Sequence, residues 1–157
     1  MLRWRRWVSH ARWPDERRVD PGRVRAWLRR RLGAAGARRL AASRSLADAQ
    51  HVLVAGPYRH DVRVGMTLEE TEHAVGATLL WHLRVLAGWQ PRTGAERLRL
   101  LARAFEVANI AEHVRSLTGA TAERRYQLGT LGTAWNRLSE ATSPAEVRSV
   151  LATSPLG

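Results

Sequence analysis

Catalysis needs side chains that can hold a metal, move a proton or attack a substrate, and this sequence spaces few of them usefully. Glu70-x-x-His73 puts a carboxylate and an imidazole on one helix face, the spacing of a carboxylate-bridged di-metal ligand pair. That chemistry requires a second such pair and further glutamates, and no other Glu-x-x-His occurs. The pair therefore reads as a solvated first helical turn, and no metal is expected. His10, His51, His60, His82 and His113 show no metal spacing and stand beside no evident nucleophile. There is no cysteine, which removes disulfides, thiolate metal sites and thiol nucleophiles. Nucleophile elbows, phosphate loops and dinucleotide fingerprints are also absent. Gly129 and Gly132 read as packing positions rather than a ligand loop. The expectation is a chain that is not an enzyme and uses no cofactor.

Charge is the more informative property. The 157 residues carry a formal charge of +12, and every basic residue is arginine. A GC-rich genome explains that choice most simply, although guanidinium also suits phosphate and carboxylate recognition. Residues 1–44 hold fourteen arginines against three acids, a balance of +11, whereas residues 45–157 hold twelve against eleven, a balance of +1. Basicity thus belongs to the first quarter. Residues 1–20 read as an arm in which Trp4, Trp7 and Trp13 interleave with Arg3, Arg5, Arg6 and Arg12. Indole and guanidinium together suit lipid headgroups, or phosphates and bases of nucleic acid. The competing reading of the arm is a disordered tail, or a start codon set too far upstream. From Val24, an apolar stripe (Val24, Trp27, Leu28, Leu32) predicts a helix whose other face presents Arg23, Arg25, Arg29, Arg30 and Arg31. Gly33 and Gly36 are expected to weaken or end it. That basic face is the candidate partner-binding site.

The elements that would position such a face are helical throughout. Four N-terminal capping boxes are expected, at Ser45/Asp48, Thr67/Glu70, Thr93/Glu96 and Ser143/Glu146, each ahead of an apolar periodic stretch. The helix from Thr93 carries Leu98, Leu101, Phe105 and Ala108 on one stripe, then Val107, Ile110, Val114 and Leu117 on nearly the opposite one. It is either covered on two sides or broken near Glu106–Asn109, with Gly119 as its stop. A last pair is expected at Arg124–Ala141 and Ser143–Ala152. Trp81, Trp89 and Trp135 read as core, and Asn109 as a hydrogen-bonder between helices. The most apolar window, Ala74 to Trp89, is interrupted by His82 and Arg84 and is shorter than the roughly 20 residues of a membrane span. No secretory signal is evident. Residues 45–58 and 143–156 match at five of fourteen positions, including the capping serine and a closing proline, which suggests duplication.

Arg23-Val24-Arg25-Ala26, the capped stretch from Ser45 with Gly56-Pro57-Tyr58, Phe105-Glu106-Val107 with Asn109-Ile110, Arg115 and Gly119, and Leu128-Gly129 through Ser154-Pro155 follow one another in a familiar order. Over residues 21–157 the chain resembles the C/d subunit family of V-type ATPases, whose members couple the central stalk to the membrane rotor ring. Glu106 stands where that family often has aspartate, and Ala111 where lysine is common. At about half the usual length, the chain resembles a single helical lobe. The resemblance implies a single all-α domain, 21–157, an irregular bundle of about six or seven helices with a duplicated short element. It implies a non-enzymatic coupling subunit for proton transport, peripheral at the cytoplasmic face of the cell membrane. Its partners would be stalk subunits, the rotor ring and anionic lipid headgroups, met by the basic face. The alternative is a small helical nucleic-acid-binding protein that uses its basic N-terminal quarter.

Overall fold

The computed structural model describes residues 31–121 and 124–156, together with Gly22. Arg23, Arg25, Arg29 and Arg30 of the candidate basic face, and the arm at 1–20, lie outside the described residues. The described chain is all-α, with six α-helices and one 3-10 turn and no strand. In chain order these are α1 (Gly33–Ala41), α2 (Leu46–Val54), α3 (Leu68–Trp89), α4 (Arg92–Leu117), the 3-10 turn Gly129–Leu131, α5 (Trp135–Leu138) and α6 (Pro144–Ala152).

The long pair α3–α4 forms a hairpin joined by Gln90 and Pro91, and the shorter elements pack around it. α3 opens on a complete capping box, in which Thr67 Oγ1 accepts from Glu70 N and Glu70 Oε2 accepts from Thr67 N. α4 runs unbroken for 26 residues. It closes on Gly119 at φ +84, with Ala120 N–H donating to Arg115 O and Gly119 N–H to Ser116 O. Only glycine takes that left-handed position without penalty, and the two bonds satisfy carbonyls the helix end would otherwise leave open.

Three apolar clusters divide the interior. Leu53, Val62 and Ala74 join α2 and the following turns to the start of α3. Leu80, Leu83, Ala102, Leu128 and Leu131 sit between α3, α4 and the 3-10 turn. Ile110, Ala134, Leu138, Ala141 and Val147 bind the far half of α4 to α5 and α6. Leu80, Leu128, Leu131 and Leu138 are almost wholly buried, and each contributes about 2 kcal/mol relative to exposure. α4 is therefore packed on two sides, but by a different selection of residues than the stripes suggest. Leu98 and Phe105 face one cluster and Ile110, Val114 and Leu117 the other, while Leu101 (63% exposed) and Val107 (56% exposed) point to solvent.

Three sequence expectations are corrected, and a fourth falls outside the described residues. α4 begins at Arg92 behind Pro91, so Thr93 lies inside its first turn and forms no cap; Pro91 O accepts from Ala95 N instead. The stretch 124–141 is not one helix. Tertiary bonds to its backbone, described below, hold it as an extended segment, the 3-10 turn and α5. The helix that Gly33 and Gly36 are expected to end, over 23–30, lies outside the described residues; the two glycines open a further helix, α1, where Gly36 is buried because Leu32 lies against it, with Leu32 Cγ 2.6 Å from where a Cβ would stand. Trp81 is 44% exposed and is not core, Trp89 is half-buried, and Trp135, also half-buried, packs against two of the clusters.

Candidate functional site

Buried polar side chains hold the connecting segments in place. Glu106, 1% exposed, accepts from the backbone N–H groups of Thr133 (2.8 Å), Ala134 (2.7 Å) and Trp135 (2.8 Å), and from Thr133 Oγ1. Those are the donors at the entry to α5 that no helical carbonyl can satisfy, and a carboxylate there also opposes the helix dipole favourably. Three residues on, Asn109 brackets Tyr126, donating to its carbonyl at 2.8 Å and accepting from its N–H at 2.7 Å. It bonds a helix to an extended segment rather than to another helix. Gln50 on α2 donates to Met66 O and Thr71 Oγ1 and accepts from Gly65 N. His113 pairs Nε2 with Ala141 O at 2.9 Å and Nδ1 with the Arg125 guanidinium, which also lies over the Trp135 ring. All four polar groups are satisfied, so they are structural anchors. Among the described residues no group of three or more His, Asp or Glu could hold a metal ion.

Three of these anchors, Gln50, Asn109 and His113, hold Met66, Tyr126 and Arg125 in the lining of an open groove of about 1430 Å³. Its walls are the turns after α2, the face of α3 bearing Glu70, His73, Ala77, Trp81 and Arg84, and the segment 124–127. Arg84 donates to Gln127 O, and His73 stacks on Tyr126 with ring centroids 4.2 Å apart, so α3 grips that segment at two heights. Asp61 at the groove accepts from Thr78 Oγ1 at 2.6 Å and pairs with His60. Seven arginines line the groove against three carboxyls, Asp61, Glu69 and Glu70. Of the seven, Arg31, Arg39, Arg59, Arg63 and Arg124 are exposed, and none of these five takes part in the ion pairs His60–Asp61 and Glu112–Arg115. Trp81 stands beside His82, ring centroids 5.0 Å apart.

Only Arg31 of the candidate basic face is described, and it lies on an exposed bend at the groove. Its companions there were not singled out by sequence: Arg39 falls past the stripe that begins at Val24, and for Arg59, Arg63 and Arg124 the near-zero sum over 45–157 hides a local excess. One signal was available. Glu70, His73, Ala77, Trp81 and Arg84 recur at helical spacing on α3, a stripe that carries polar and aromatic groups into the helix's apolar second half. Glu70 and His73 do share that face, as spacing predicted, but the first is occupied in a cap and the second in a ring stack. No helix among the described residues is long and apolar enough to cross a membrane. Comparison with protein-family models, curated proteins and solved structures finds no match.

Proposed function

We propose that this chain is a non-enzymatic coupling subunit of a V-type, proton-translocating rotary ATPase. It would lie peripherally at the cytoplasmic face of the membrane, between central stalk and rotor ring. The supporting observation is that the stretches carrying the resemblance are the ones that build the fold. Glu106 and Asn109 are two of the three anchors of α4, Gly119 forms its stop, and Leu128 is a core leucine. The two related elements at 45–58 and 143–156 each form a nine-residue helix capped by serine. The lobe then serves as a rigid platform, and its arginines serve as the docking charges that orient it on an acidic partner.

Tagged purification from native membranes in mild detergent, with nuclease treatment and partner identification, tests this. Recovery of rotor-ring and stalk subunits is the expected result. Recovery of nuclease-sensitive nucleic acid without ATPase subunits would overturn it and favour the nucleic-acid-binding alternative. In that case affinity should fall around a thousandfold between 50 and 200 mM salt for about six phosphate contacts.

A further inference from the structure

The groove is lined by seven arginines against three carboxyls, and that lining restricts what can occupy it. Its α3 wall, from Glu70 to Arg84, is about 21 Å long at 1.5 Å per residue. Arg59 and Arg63 are exposed on the turns opposite, and Trp81 rises from α3 with nearly half its surface open. Arginine and tryptophan are the side chains that most often dominate protein–protein affinity, tryptophan as an apolar anchor and arginine as a carboxylate partner.

We infer that this groove binds an acidic polypeptide segment of a partner protein, one whose apolar side chain packs on Trp81 while its carboxylates pair with Arg59, Arg63 and Arg124. Single-stranded nucleic acid fits less well. It stacks successive bases on several aromatic faces, whereas Tyr126 is covered by His73 on its face and approached edge-on by Phe105. Trp81 is left as the one open indole, phenol or phenyl ring among the described residues of the groove. A phosphate backbone also carries charge at every step, and would meet the carboxyls of Asp61, Glu69 and Glu70. A peptide places its carboxylates at discrete positions and can avoid them. The inference rests on the groove alone and not on the rotary-ATPase reading, so either can fail without the other.

The test uses the full chain and a fluorescein-labelled amphipathic peptide built of glutamate and leucine, followed by fluorescence anisotropy. Labelled oligo(dT) and the same peptide with glutamine for glutamate serve as comparators. The acidic peptide should bind, and weaken with added salt. Arg59→Glu with Arg63→Glu should weaken it about tenfold or more, and Trp81→Ala about tenfold. Arg97→Glu with Arg148→Glu, exposed and away from the groove lining, should leave it unchanged. The arginine changes are at exposed positions, and circular dichroism checks each variant's fold. Equal binding by wild type and the Arg59/Arg63 variant would overturn the inference, as would no preference for glutamate over glutamine. Tighter, groove-dependent binding of oligo(dT) would overturn it in favour of nucleic acid.

Discussion

The two related elements have nearly the same local structure and very different surroundings. Ser45 (φ −144, ψ 162) and Ser143 (φ −142, ψ 154) enter their helices with matching backbone, and each side chain accepts from the N–H three residues on. Beyond the cap they diverge. α2 carries its own anchor, Gln50, which ties down the loop that follows, and the turns after it bear Arg59, His60 and Arg63 at the groove. α6 carries no such anchor. It is held by apolar contact with α4 and α5, and those neighbours are themselves fixed by Glu106 and His113 on α4. Shared local chemistry makes the helix in both places, and the tertiary partner decides whether the element presents a charged surface or fills a core.

Several substitutions would separate the two. The largest effect is expected from Glu106→Ala, which strands three backbone donors at the entry to α5 and empties a buried site, at about 4 kcal/mol. Denaturant unfolding should register that loss, and hydrogen exchange should accelerate in 135–152 far more than in 46–54. Gln50→Ala should cost about 2 kcal/mol, since it leaves Gly65 N–H and Met66 O without their partner; its exchange signature should be the reverse, concentrated in α2 and 62–71. Ser45→Ala and Ser143→Ala should each cost about 1 kcal/mol. Near-equal values would confirm that the caps are equivalent, and a threefold disparity would show that tertiary context dominates even there.

The smallest effect concerns acid. The Glu146 carboxyl sits below its ordinary value, chiefly because Thr142 N–H donates to it, with the Thr142 hydroxyl and Ser143 N–H adding to this against a slight opposing desolvation. A depressed carboxyl stabilises the fold above its unfolded value of about 4.3 and loses that contribution as pH falls through the folded value. The stability gap between wild type and Glu146→Gln should therefore narrow as pH falls below about 4.3. A gap independent of pH would show that the carboxyl's charge plays no part.

Capped helix starts at Ser45, Thr67 and Ser143 were legible because a cap is a local contract between residues three apart, although only Thr67 and Glu70 complete the expected reciprocal box; Glu146 turns to Thr142 N instead. Thr93 satisfied the same pattern and failed, since Pro91 and the tight α3–α4 link set the helix start two residues earlier. The stretch 124–141 was illegible for the opposite reason. Its conformation is dictated from α4, seventeen to twenty-nine residues away, by Asn109 and Glu106. Asn109 could be recognised as a buried hydrogen-bonder but not assigned a partner. The groove was hidden twice over, by a charge sum that averaged its arginines against distant acids and by Trp81, whose apolar neighbours on α3 suggested burial.

Joined, the two proposals say that the arginine groove beside the first element docks the chain onto a rotary-ATPase partner. The most direct test is paired purification from native membranes, with nuclease present, of tagged wild type and the Arg59→Glu, Arg63→Glu variant, and quantification of co-purifying subunits. Stalk and rotor-ring subunits should accompany the wild type and fall about tenfold with the variant at physiological salt. Equal recovery with both would contradict the claim for the groove, and absence of those subunits from both would contradict the coupling role itself.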